Sequence, residues 1–311
     1  MSLILLFLAL LGGFFTSWVI GVNNSSPFGP ITSSGACTVF GASFIVGIAS
    51  FLGSVTQGEA VANTVGKGLI EGVSFDTGLA AIVLLTASSL IIVSIMYRYP
   101  MPSVFTLVGS VIGAGLGMGG SLNASSLETI AFFWVTIPLF GIPLGFISAK
   151  FLRRFMSRDN NKKVVHYILL ILGTYTAYTA GANRAGLAIG PLIGTVDIPM
   201  IYFLVFGGFG MLVGAWTGSP RIIEAIAREY SRLGPRRAIA ALFTTGLLAQ
   251  VSTLYGVPIS FNEAIISAII GAGLVEGSSS IGRGKITRTV TMWVVALFVS
   301  CLVSYSVVSI L

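Results

Sequence analysis

Two polar stretches interrupt a chain that is otherwise strongly apolar. Their polar side chains share one habit: all can donate hydrogen bonds, and none carries negative charge. The first, Gly21-Val22-Asn23-Asn24-Ser25-Ser26-Pro27-Phe28-Gly29-Pro30, offers amides and hydroxyls. The second, Gly181-Ala182-Asn183-Arg184-Ala185-Gly186-Leu187-Ala188-Ile189-Gly190-Pro191, offers an amide and a guanidinium. A planar guanidinium fork suits the oxygens of a tetrahedral oxyanion, and amide and hydroxyl donors extend such a shell. A later pair of segments adds Ser103 after Pro102, and Ser260, Asn262 and Glu263 after Pro258. The expected substrate-binding set is therefore Asn23, Asn24, Ser25, Ser26, Ser103, Asn183, Arg184, Ser260 and Asn262. Glu263, if buried, is the candidate carrier of a coupling proton. Each residue also has a plainer reading: loop residues capping helices, an arginine snorkelling at a helix end, and an acid facing water at a helix start.

The composition says which elements must hold these side chains. Only 9% of the 311 residues are charged and 55% are apolar, with a mean hydropathy of +0.96. A soluble domain carries about 25% charged residues. Ten apolar segments run at about 3–22, 36–55, 78–97, 103–118, 129–149, 166–183, 198–217, 238–256, 259–276 and 289–310. Most are long enough to cross about 30 Å of hydrocarbon as helices. Long turn-free runs, rather than alternating ten-residue strands, exclude a transmembrane barrel. The expected fold is an all-α polytopic membrane protein with broken or re-entrant helices. The Met1–Val22 segment lacks a basic leader and a small-residue cleavage site, and reads as a retained first helix. Gly-Asn-Pro breaks in apolar helices persist where they line a cavity or bind an ion. The half-helix that follows then presents free N–H groups and partial positive charge.

The basic residues set the orientation. With Lys150–Lys163 placed in the cytoplasm, 15 of the 17 Lys and Arg residues fall on that side. Lys67 alone falls outside, and Arg184 falls within the membrane region. This is the positive-inside pattern. It gives ten crossings in the cell membrane with both termini outside. Five crossings per half is an odd number, so residues 1–150 and 151–311 are expected to form two inverted-topology repeats, joined by a short basic linker at about 150–163. The repeat is visible in the sequence. The two Gly-Asn stretches correspond, and Pro100–Gly109 before Ile112-Gly113-Ala114-Gly115-Leu116 corresponds to Pro258–Ser267 before Ile270-Gly271-Ala272-Gly273-Leu274. Ser219–Arg237 alternates apolar and charged residues at helical spacing, and is expected on the inner membrane surface or as a solvated cytoplasmic helix.

Other chemistries find little support. Cys37 and Cys301 sit inside apolar runs without metal-ligand spacing and read as small core residues. His166, the one histidine, adjoins the basic linker. Glu59 reads as interfacial, while Gln57 could reach a central cavity. H-E-x-x-H and G-x-S-x-G are both missing, and the spans hold no Asp pair. No metal, cofactor or nucleic-acid partner is expected; a homo-oligomer is compatible with the sequence.

These residues resemble the inorganic phosphate transporter (PiT) family, which includes sulfate permeases. Its repeated signature reads approximately G-A-N-D-x-A-N-A-x-G-P/T, with a later P-V-S-T-T-H segment. Gly181-Ala182-Asn183 and Ala188-Ile189-Gly190-Pro191 fit well, Gly21, Asn23 and Gly29 less closely. Pro258 and Ser260 match the later segment, and Ser103 loosely. Arg221-Ile222-Ile223-Glu224 and Leu233-Gly234-Pro235-Arg236-Arg237 resemble the family's second-half surface helix. The resemblance covers nearly the whole chain, with the central loop reduced to the linker. It implies a secondary transporter that binds its anion between the repeats, often driven by sodium. The departures bear on coupling. The motif aspartate is Asn24 in the first half and Arg184 in the second, and the histidine position holds Phe105 and Glu263. A sodium site usually includes a carboxylate, so a proton stands ahead of sodium. The expected cargo is phosphate, narrowly ahead of sulfate, with a passive anion channel as the other reading.

Overall fold

The computed structural model describes residues 3–96, 102–156, 161–230, 234–275 and 283–310. Its helices are α1 Leu3–Asn23, α2 Gly29–Ser33, α3 Val39–Gln57, α4 Glu59–Asn63, α5 Thr77–Met96, α6 Ser103–Gly117, α7 Ala124–Phe155, α8 Lys162–Ile189, α9 Met200–Tyr230, α10 Pro235–Leu254, α11 Phe261–Leu274 and α12 Arg283–Ile310. All ten expected segments are helical; α2 and α4 are short additions between them. Local signals explain several starts. Thr38 accepts from the Gly41 N–H, Asn123 from Ser126 and Asn161 from Lys163, each an N-cap. Pro235 opens α10, where its missing N–H costs nothing.

The molecule is an all-α polytopic membrane protein. Among the described residues, seven helical stretches have the length and hydropathy to cross a bilayer. Outward faces stay apolar: Phe132 and Leu139 of α7 and Phe298 and Leu302 of α12 are each more than half exposed, as a lipid-facing surface requires. Two of the ten expected crossings are shorter than anticipated. With 15 and 14 residues, α6 and α11 reach only about 22 Å at 1.5 Å per residue, short of the ~30 Å core. A two-stranded ribbon pairs Ile70 with Leu122 and Glu71 with Ser121, which holds the start of α5 and the end of α6 at one face.

Packing follows a regular exchange. Helix α1 lies along α9 while α8 lies along α3; α6 lies along α12 while α11 lies along α7. Small residues allow these approaches, as expected in lipid. Gly21 of α1 abuts the Met211 backbone of α9, and Gly181 of α8 abuts the Ser50 backbone of α3. A methyl group at either glycine would overlap main-chain atoms.

Two further expectations are corrected. Helix α8 runs unbroken through Gly181–Ile189 and tightens into a 3-10 turn only at Gly190–Leu192. In the first half the break is real: α1 ends at Asn23 and a 3-10 turn spans Ser26–Phe28. Pro27 and Pro30 withhold N–H groups there, whereas no proline precedes Pro191 in the second stretch. The Ser219–Arg237 stretch is not a separate surface helix. Helix α9 continues through Pro220 to Tyr230, because buried Ser219 and Ile223 tie it to the bundle. Arg98, Arg158 and Arg232 lie outside the described residues.

Candidate functional site

The corresponding positions of the two Gly-Asn stretches meet directly. Arg184 Nη1 donates to Asn24 Oδ1 at 2.8 Å. Asn24 in turn donates through Nδ2 to Ser50 Oγ at 3.1 Å, with Met211 Sδ at 3.6 Å. The guanidinium lies 4.8 Å from the centroid of the Phe261 ring, in the first turn of α11. Arg184 is 2% exposed, its Nε has no hydrogen-bond partner, and no carboxylate pairs with it among the described residues. Snorkelling is therefore not its arrangement. An enclosed cation without a counter-charge is costly, and it is held here by one amide oxygen and one aromatic face.

Asn183 does different work. Its Nδ2 donates to Thr253 Oγ1 at 3.1 Å and to the Val257 carbonyl at 2.8 Å, and its Oδ1 accepts from the Ile259 N–H at 2.9 Å. It therefore ties α8 to the segment that leads into α11. Gly256, at φ +66°, lets the chain reverse after α10. The result sets Ser260 beside the Arg184–Phe261 contact. Ser260 is 2% exposed, its hydroxyl is unpartnered, and no side chain caps α11. The positive end of α11 thus begins next to the residue whose ring Arg184 meets. Glu263 is buried within the first turn of α11, with neither carboxyl oxygen bonded.

The remaining expected residues divide. The Ser25 hydroxyl donates to the Val22 carbonyl at 2.8 Å and Ser26 to Asn23 at 3.0 Å, so both protons close the end of α1. Asn23 and Asn262 are half-buried. Ser103 is buried at the start of α6. Trp134 of α7 brings that start close to α11: its ring sits 4.1 Å from Phe105, and its Nε1 donates to the Pro258 carbonyl at 3.0 Å.

Several participants were not singled out in the sequence. Ser50, Thr253 and Phe261 touch the motif residues, but nothing in their local pattern marks them among many serines, threonines and phenylalanines. Gln250 is a stronger omission. It is a rare amide within an apolar helix; it donates to Gln57 at 3.0 Å, and its own Oε1 is buried without a partner.

A model of the phosphate transporter family matches residues 20–166 and 156–304. The chain belongs to that family. Among its relatives is the sulfate permease CysP of Bacillus subtilis, 26% identical over 83% of this chain and 74% of that protein. Another is the chloroplastic inorganic phosphate transporter 2-1 of Arabidopsis thaliana, 22% identical over 94% of this chain and 70% of that one. A solved structure described as the sodium-dependent phosphate transporter superposes with a TM-score of 0.87 over 99% of both chains, at 19% identity. That likeness establishes the fold. The family is one of membrane transporters, not enzymes.

Proposed function

We propose that this protein is a secondary transporter for a tetrahedral inorganic oxyanion, phosphate narrowly ahead of sulfate, working by alternating access in the cell membrane. The observation that carries this reading is Arg184, an enclosed guanidinium with a free Nε and no carboxylate partner among the described residues. It sits where the uncapped start of α11 and the Ser260 hydroxyl supply further donors. An oxyanion arriving there meets a fixed charge, a hydroxyl and a helix N-terminus out of water. Asn24 and Asn183 hold this geometry rather than contact the cargo, since their amides are already bonded.

Division into two inverted halves, 1–150 and 151–311, is supported by the exchanged packing of α1 on α9 with α8 on α3, and α6 on α12 with α11 on α7. The paired contacts of Gly21 and Gly181 add to it. Together with the basic asymmetry, this supports a topology with both termini outside. Rocking of one half against the other would expose the junction to each side in turn.

Coupling follows from charge. Asn24 and Arg184 leave no carboxylate at the corresponding motif positions to hold sodium. Arg184 balances the substrate but cannot travel with it, so a proton is the proposed coupling ion and Glu263 its carrier. Radiolabelled phosphate and sulfate uptake into proteoliposomes, with proton and sodium gradients imposed separately, tests the whole reading. Concentrative uptake driven by a proton gradient is expected. Strictly sodium-driven uptake would overturn the coupling, and movement only down the anion's own gradient would make the protein a channel.

A further inference from the structure

The first turn of α11 carries buried polar chemistry on two faces, and only one belongs to the anion site. Phe261 faces Arg184. Glu263, two residues on, lies roughly 200° further round a helix of 3.6 residues per turn. The register of that second face is fixed by contacts with α7, which runs parallel to α11. Ser267 lies against Gly141, Ala268 against Gly145 and Gly271 against Ile142. Ahead of α11, Trp134 of α7 donates to Pro258. One turn back from the Ser267–Gly141 contact, Glu263 is level with Ile137 and Pro138.

Pro138 lies inside α7. It has no N–H, so the Trp134 carbonyl, four residues earlier, loses its helical donor. Trp134, Ile137, Gly141 and Gly145 form the stripe by which α7 meets α11, so by register that carbonyl falls near the level of Glu263. The Glu263 carboxyl is enclosed at 2% exposure with both oxygens unbonded. Among the described residues, charged groups on the neighbouring elements stand elsewhere. On α7, Glu128, Lys150, Arg153 and Arg154 are exposed toward the ends. On α10, Arg236 and Arg237 occupy the first turn, at the far end of the α10–α11 hairpin. From α8, Arg184 meets the Phe261 face. A carbonyl short of a donor and a carboxyl short of a partner are complementary only when the carboxyl holds a proton.

We propose that Glu263 and the Trp134 carbonyl released by Pro138 form a proton site between α7 and α11, separate from the anion site and joined to it through the first turn of α11. The protonated acid donates its O–H to the carbonyl and seats α11 on α7. The carboxylate has no donor there, so losing the proton frees α11 to shift, carrying Phe261 and the α11 N-terminus away from Arg184. Proton and anion thereby act on one helical turn, and each binding event favours the other. This inference rests on the proton-coupled reading above.

Infrared difference spectroscopy on purified protein tests the site without transport. A carboxylic-acid C=O band that appears on acidification is expected in the wild type and absent in Glu263→Gln. In Pro138→Ala the Trp134 carbonyl regains a helical donor, so the band should persist but move to higher frequency as its hydrogen bond weakens. Glu263→Asp, which keeps the acid on a shorter arm, should also retain a shifted band. An unshifted band in Pro138→Ala would overturn the carbonyl partner, and a band unaffected by Glu263→Gln would overturn the site. In proteoliposomes, Glu263→Gln should cut proton-driven uptake at least tenfold. Sodium-driven uptake in the wild type would instead overturn the coupling reading, and the infrared band decides the proton site independently of it.

Discussion

Arg184→Ala removes an enclosed cation from the junction, and its two consequences are separable. For binding, the loss is a charged donor to a desolvated anion, worth about 1.5–3 kcal/mol, which weakens affinity roughly ten- to a hundredfold. For folding, two effects oppose each other. The variant no longer buries a charge whose company among the described residues is Asn24 and the Phe261 ring, which relieves a desolvation cost of several kcal/mol. It also leaves Asn24 Oδ1 unpaired, a penalty of about 1–3 kcal/mol. The melting temperature should therefore change little while affinity falls. Arg184→Lys keeps the charge but loses the planar fork, and should lie between wild type and alanine. Titration calorimetry of phosphate and sulfate against purified protein, beside melting curves in the same detergent, reads both quantities. An Arg184→Ala protein that melts like wild type yet binds both anions with unchanged affinity would refute the placement of the site.

Asn183→Ala deletes three hydrogen bonds between α8 and the segment entering α11. At about 1 kcal/mol each, a loss near 3 kcal/mol should appear as a clear drop in melting temperature. Gly181→Ala sets a methyl group into the Ser50 backbone and should reduce the yield of folded protein far more than alanine at exposed Gly35, judged by monodisperse peak height; Gly35, with φ +77°, has open space around it, and strain there should cost only about 1–2 kcal/mol. A cysteine at Asp197 should react with an impermeant outside reagent in intact cells, and one at Lys163 should not; rapid outside labelling at 163 would reverse the topology. Replacing sodium by potassium should leave uptake unchanged, while collapsing the pH gradient should abolish accumulation.

Hydropathy determined the helical architecture without a structure. Ten apolar runs became ten helices because, in lipid, a chain must satisfy its backbone internally, and a helix does so from local sequence alone. The family is legible for a related reason: Gly181-Ala182-Asn183 and Gly190-Pro191 are contiguous, so their pattern survives in one dimension. The roles of individual residues were not legible. Ser25 and Asn183 are equally polar on paper, yet Ser25 closes its own helix end while Asn183 braces a segment more than seventy residues away. The Gly-Asn-Pro pattern foretold a break in both stretches, and only the first has one, because Pro27 and Pro30 withhold N–H groups inside that stretch while Pro191 stands at the end of the second. What tertiary structure alone decided is the meeting of Asn24 with Arg184, 160 residues apart, and the placing of Phe261 and Glu263 on different faces of one turn. Hydrogen bonds across that distance depend on how α1, α8 and α11 cross, and helix crossing is set by small residues such as Gly21 and Gly181 against partner backbones, a property of pairs of surfaces and not of any one segment.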